Sequence, residues 1–315
     1  GGGMPREYAR AGEALEKLSS TGQTPRVRIS AAPRSDTALD RSGWPWKGGV
    51  EFKNVSMRYN PLSPLVLKNL TVGVPPGGTL GVVGRTGSGK SSLLLTLFRI
   101  AEIEGGGSGS GSGGSIEIDG VDIRSVSLKT LRESLSIIPQ DPVLFAGTAM
   151  YNLDATGGAT EEDAWRALES ASPELATKFR ESGLGLNATI TEGGKNLSVG
   201  QRQLMCLARA LLRKSKILVL DEATSSVDGR TDAQVQETIR REFVNKGVTV
   251  MTVAHRLDTV LGYDKIAVLG DGELIEYGAP SELLRRPNGE LRRLVDADIK
   301  NKQKGASTRE ALPIV

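Results

Sequence analysis

The chain has 315 residues, 38% of them hydrophobic and 24% charged, with a formal net charge of +3 and one cysteine, Cys206. That composition is ordinary for a chain able to bury a sizeable core, and a single thiol excludes an internal disulfide or a cysteine-built metal site. The positive charge sits at the ends: residues 1–47 hold eight Lys/Arg against five Asp/Glu, and residues 298–315 hold four against two, leaving the middle at −2. A nucleic-acid binder is expected to carry a basic face on its folded part, so the charge distribution argues against nucleic acid as a partner.

Residues 1–47 are rich in Gly, Pro, Ser and Arg, with one weak helical stretch, REYARAGEALEKL, and read as a flexible linker ahead of a domain at 48–297. In VEFKNVSMRY the alternation of Val50, Phe52, Val55, Met57 and Tyr59 predicts a strand, and LVLKNLTVGV predicts a second. TLGVVG is a short apolar strand running into a glycine-rich loop and then the helical SSLLLTLFRI. The segment EGGGSGSGSGG, residues 104–114, reads as a flexible surface insertion. From 141 to about 212 the pattern is mostly helical, as in EEDAWRALESAS and GQRQLMCLARALLRK, where Cys206 reads as a small buried apolar residue. KILVLDE and VTVMTVAH are apolar runs of strand length separated by the helical DAQVQETIRREFV, and residues 298–315 form a basic tail. Short apolar strands alternating with helices predict an α/β fold with a parallel sheet covered on both faces. No apolar run approaches the roughly 20 residues that span a bilayer, and no signal-peptide pattern begins the sequence. The isolated domain is therefore expected to be soluble, and a transport role would require a membrane part outside this sequence.

Gly84 to Ser91, GRTGSGKS, matches the phosphate-loop pattern in its required strand–loop–helix context. Glycines turn backbone N–H groups toward phosphates, the helix start adds roughly half a positive charge, Lys90 reaches the β and γ phosphates, and Ser91 suits Mg²⁺. LVLDE ends an apolar strand in two acids: Asp221 is expected to bind Mg²⁺ through its water shell, and Glu222 to polarise the water that attacks the γ-phosphate. His255 is the only histidine. A hydrogen-bonded structural role is the plain alternative, but the C-terminal edge of a parallel sheet is where ligands bind, so His255 is assigned to the γ-phosphate beside Glu222. In LSVGQRQLMCLARAL, Ser198 is a good N-cap and Gly200 permits close backbone approach, giving a second anion-binding helix start with no evident use inside one chain. The anion it serves is expected to belong to another chain.

Over residues 48 to about 296 the sequence closely resembles the ABC ATPase family, with Tyr59, GRTGSGKS, Gln140, LSVGQ, LVLDE, SSVD at 225–228 and His255 in family order. Finer phrases such as IIPQDPVLFAGT and ARALLRKSKILVLDEATSSVD resemble the second nucleotide-binding domain of the C subfamily, the multidrug-resistance-associated proteins. The resemblance implies a P-loop, RecA-like parallel-sheet core with an antiparallel β subdomain and a helical subdomain at about 141–212. It implies ATP and Mg²⁺, with Tyr59 stacking on adenine and Gly84, Arg85, Thr86, Gly87, Ser88, Gly89, Lys90, Ser91 and Ser92 around the phosphates. Ser91, Gln140 and Asp221 would serve the metal; Glu222, His255 and Gln140 would act in hydrolysis. Leu197, Ser198, Val199, Gly200, Gln201 and Asp228 would face a partner's ATP in a two-domain sandwich. A groove near Gln140 to Met150 would receive a helix of the membrane part, which locates the domain at the cytoplasmic face of a transporter exporting organic anions, conjugates or drugs.

One departure stands out: Val199 occupies a position where the commonest family pattern has glycine. A β-branched side chain there should obstruct close approach of a phosphate, so the site completed by LSVGQ is expected to hydrolyse poorly. Two of three rivals fit less of the sequence. A DNA or translation ATPase would insert a coiled coil before LVLDE or duplicate the domain, and a P-loop kinase has no use for LSVGQ and His255. A nucleotide sensor gating a channel uses the same domain and stays open.

Overall fold

The computed structural model describes residues 43–105, 113–223, 227–254 and 256–310, with side chains described as far as residue 300. Strand β1 (Val50–Met57) buries Val50, Phe52, Val55 and Met57, as its alternation predicts. It pairs antiparallel with β2 (Leu67–Val74) on one side and β4 (Ser115–Ile118) on the other, and the two-residue β5 (Val121–Asp122) completes a four-stranded antiparallel sheet.

The second sheet runs in the order β12-β11-β3-β10-β9-β6, and the short β7 (Gly147–Thr148) and β8 (Thr189–Ile190) pair with each other apart from it. Its strands β3 (Thr79–Gly84), β6 (Leu135–Ile138), β9 (Ile217–Asp221), β10 (Thr249–Val253) and β11 (Lys265–Gly270) are parallel, while the edge strand β12 (Glu273–Gly278) is antiparallel. Ile217, Leu218, Val219 and Leu220 are all buried, the continuous apolar run of a strand covered on both faces. The fold is thus mixed α/β, with an antiparallel sheet set beside a largely parallel core.

Helix α1 (Lys90–Leu97) follows the glycine loop and packs Leu93, Leu94 and Leu97 between the two sheets. After α2 (Leu128–Ser134), the helices α3 (Ala149–Leu153), α4 (Glu161–Ala171), α5 (Pro173–Glu181) and α6 (Val199–Arg213) build a second core around Leu168, Phe179, Leu204 and Cys206. Cys206 is buried on α6, and burial pushes its thiol pKa up. Helix α7 (Gly229–Glu242) links β9 to β10, and α8 (Pro280–Leu284) and α9 (Glu290–Glu310) cover β11 through Leu283 and Leu291.

Packing reaches past the first boundary read from the sequence, and helical backbone past the second. Trp44, inside the segment read as linker, is buried, and its indole N–H donates to Ile118 O at 3.1 Å. The N–H groups of Lys47, Gly48 and Gly49 donate to the Asp119 carboxylate at 2.8–3.0 Å. At the other end α9 continues beyond 297 into the segment read as a tail. Most of the linker (1–42) and of the Gly/Ser insertion (106–112) lies outside the described residues.

Candidate functional site

The parallel sheet brings the sequence motifs to one edge. Val253 at the end of β10 is in register with Val82 of β3 and with Asp221 of β9, so the phosphate loop, the acid pair and Ala254 emerge side by side. Gly89 takes φ 99° as the residue capping α1, and a Cβ there would come within 2.8 Å of Leu67 Cδ2. Only glycine fits that turn. Arg85, Thr86, Gly87 and Ser91 are exposed, whereas Ser88, Gly89 and Ser92 are buried.

Lys90 is buried, and its ammonium donates to Gly84 O at 2.9 Å and Arg85 O at 3.1 Å, which folds the loop around it. Desolvation lowers its pKa, opposed by the charges of Glu222 and Asp221. Asp221 is held above the usual carboxylate range, first by burial and then by Glu222, with Lys90 pulling the other way. Its Oδ1 is buried with no hydrogen-bond partner among the described residues, and the same holds for Ser88 Oγ. Orphaned buried oxygens are rare and call for a ligand, water or ion. The fit is to a hard cation carried largely by phosphates: Mg²⁺ takes one or two protein oxygens, and among the described residues no cluster of three acids, histidines or cysteines offers an all-protein cage.

Glu222 is half-buried and sits at φ 46°, with its N–H donating to Val253 O at 2.9 Å. A left-handed non-glycine conformation costs roughly 1–2 kcal/mol, and here it falls directly after the last residue of β9. Tyr59, read from the sequence as part of the first strand, lies two residues beyond the end of β1; it is 61% exposed, and its hydroxyl meets Ser92 Oγ at 2.8 Å, beside the start of α1. Gln140 is exposed two residues after β6. His255 lies outside the described residues, as do Ser225 and Ser226; its neighbour Ala254 donates to Val82 O at 3.0 Å.

A second group of residues stands apart. Ser198 caps α6 in a full capping box, its Oγ accepting from Gln201 N at 3.1 Å while Gln201 Oε1 accepts from Ser198 N at 3.2 Å. Leu197 and Gly200 are buried; Ser198 and Val199 are exposed. A Cβ on Gly200 would press to 3.0 Å from Thr231, so the start of α6 packs against the start of α7, which Asp228 caps by accepting from Arg230 N and Thr231 N. Among the described residues no hydrogen bond or ion pair joins 197–201 to 84–91.

The loop between the two groups is braced by residues that sequence reasoning missed. Gln203, buried on α6, donates to Pro139 O at 3.2 Å, and Arg209 donates to Asn152 O at 2.9 Å and Val143 O at 3.3 Å. Leu144 is buried, while Val143, Phe145 and Tyr151 remain exposed along the stretch read as a groove. Nothing in the sequence marks Gln203 or Arg209 beyond their place in a helical pattern.

A glycine loop after a central parallel strand, a buried loop lysine and an acid pair on the strand two places away define a nucleoside-triphosphate-binding P-loop domain. The helices inserted between loop and acids narrow the class, and a family profile described as "ABC transporter" matches residues 67–225. The chain belongs to the ABC transporter family. It is 53% identical over 241 residues to ATP-binding cassette sub-family C member 2 of Rattus norvegicus, covering 76% of this chain and 15% of that protein. It is 45% identical over 282 residues to ABC transporter C family member 12 of Dictyostelium discoideum, covering 90% of this chain and 20% of the relative. The chain thus spans a fifth or less of these proteins. Among solved structures it is similar to a bacterial Atm1-family ABC exporter with ATP bound, with a TM-score of 0.74 and 30% identity over 93% of this chain and 49% of the exporter chain.

Proposed function

We propose that this chain is the ATP-binding and ATP-hydrolysing motor of an ABC membrane exporter, working at the cytoplasmic face as one half of a heterodimer-like pair of nucleotide-binding domains. The observation that carries the reading is the buried Lys90 held in the glycine loop within the fields of Asp221 and Glu222. In this reading the loop N–H groups and Lys90 bind the phosphates, Tyr59 meets the adenine, and Glu222, with His255 and Gln140, positions and polarises the attacking water. Bound Mg²⁺ supplies charge neutralisation at the phosphates; Ser91, Asp221 and Gln140 are the residues that would hold it. The exposed capped start of α6 at Ser198, with Asp228 beside it, faces the partner's nucleotide instead of this chain's own.

Val199 is 38% exposed at that face, which supports poor hydrolysis at the site this chain completes in trans. The exposed Phe145 and Tyr151 suit contact with a membrane part near 140–150. Substrates of the organic-anion, conjugate or drug class follow by likeness to sub-family C members. The test is Glu222→Gln in the assembled pair: ATP binding should persist while hydrolysis at this site falls by roughly 10²-fold or more. Undiminished hydrolysis refutes the assignment of Glu222.

A further inference from the structure

At the sheet edge away from the phosphate loop, where Lys216 leads into β9 and Val248 into β10, lies a cavity of about 380 Å³. Its floor is apolar: Ala167 of α4, Leu211 and Leu212 at the end of α6, Phe243 after α7, and Val248. The rim is charged, with Arg166, Lys214, Lys216 and Lys246 facing only two carboxylates, Asp163 and Glu242. Both carboxylates are already engaged, Asp163 by Arg166 at 3.3 Å and Lys214 at 3.7 Å, and Glu242 by Lys246 and Arg241. Lys216 has no ion-pair partner among the described residues, so positive charge is left over above an apolar floor. This happens on a domain whose middle is net negative, and no residue of the nucleotide site lines the cavity.

A volume of this order, an apolar lining and a few convergent polar groups are the features of small-molecule sites. The size and the charge select the ligand. An apolar body would cover Phe243, Leu211 and Leu212, and an anionic head would satisfy the surplus cations at the mouth. We infer that this cavity binds a small amphipathic organic anion, an aryl or acyl carboxylate, sulfonate or sulfate, with its head among Lys214, Lys216 and Lys246. The assignment is independent of the nucleotide reading, since it uses none of the same side chains.

The test is a fluorescence titration of the whole chain with 8-anilino-1-naphthalenesulfonate, beside N-phenyl-1-naphthylamine, which has the same rings without the sulfonate. One saturable sulfonate site is expected, unaffected by saturating ATP. Lys214→Glu with Lys216→Glu should weaken the sulfonate at least about tenfold, or roughly 1.4 kcal/mol, while changing the neutral probe less than about twofold. Ser170→Trp, at the cavity wall, should remove binding of both while the melting temperature is kept. Should charge reversal impair folding, Lys214→Gln with Lys216→Gln reads the same effect at about threefold. Displacement of the sulfonate by ATP, unchanged affinity in these variants, or equal loss of both probes on charge reversal overturns the site.

Discussion

Ser198 can be asked to separate stability from function, because its side chain has a local job that aspartate can also do. Its Oγ closes the capping box of α6 with Gln201 at 3.1 Å, yet the residue itself is exposed. Ser198→Ala removes the cap at a cost of about 1 kcal/mol, and a chain of this size then loses roughly 2–4 °C of melting temperature. Ser198→Asp keeps an accepting oxygen and adds a negative charge at the positive helix end, so melting should stay within about 2 °C of the parent. If this helix start faces a partner's terminal phosphate, the same aspartate sits about 4 Å from a negative charge. At an effective dielectric of about 20 that repulsion is about 4 kcal/mol, close to a thousandfold in the trans-completed site. Calorimetric melting of the chain and ATP turnover of the assembled pair measure the two arms. Turnover in Ser198→Asp equal to the parent, or activity that simply follows the melting temperatures of the two variants, refutes the reasoning.

Other consequences are equally direct. Val199→Gly should raise ATP turnover at the partner's site in the assembled pair; no increase there counts against obstruction by the β-branched side chain. Asp221→Asn should stabilise the nucleotide-free chain at pH 7 and abolish the added stability from Mg·ATP. The sign follows from burial and the neighbouring Glu222, which raise the folded pKa above the unfolded value of about 3.9. The penalty is present in full above the folded pKa and vanishes below the unfolded one, so the melting gap between variant and parent should shrink as pH falls toward about 4. A variant less stable than the parent at pH 7 without nucleotide contradicts it. Trp44→Ala should cost about 3 kcal/mol or more, from lost burial and the indole bond to Ile118 O, seen as a drop of roughly 6 °C or more in melting temperature. A change under about 2 °C would return Trp44 to the linker.

The elements legible in the sequence were those whose period or motif is local. Alternation fixes β1, the apolar runs fix β9 and β10, and the glycine loop between TLGVVG and SSLLLTLFRI marks the nucleotide edge. What stayed hidden depends on tertiary partners. The four-residue β4 follows a Gly/Ser run and owes its place to pairing with β1, and β12 is an edge strand whose exposed face carries little pattern. Trp44 sits in a Gly- and Pro-rich stretch that looks like linker until Ile118 and Asp119 are brought to it. The left-handed backbone of Glu222 goes with a bond from its N–H to Val253 O on the neighbouring strand, and no propensity of glutamate foretells it. The bracing by Gln203 and Arg209 spans more than fifty residues of sequence, so spacing alone could not reveal it.

The central claim is that one nucleotide is held between this phosphate-loop domain and the helix start of a neighbour. Place a cysteine at position 198 (Ser198→Cys) and another in the partner domain's phosphate loop, with Glu222→Gln to slow hydrolysis; the buried Cys206 will not compete. Disulfide formation between the two chains, followed on a non-reducing gel, should be rapid with Mg·ATP and slow without nucleotide. Cross-linking that ignores ATP, or none at saturating ATP, would contradict the account.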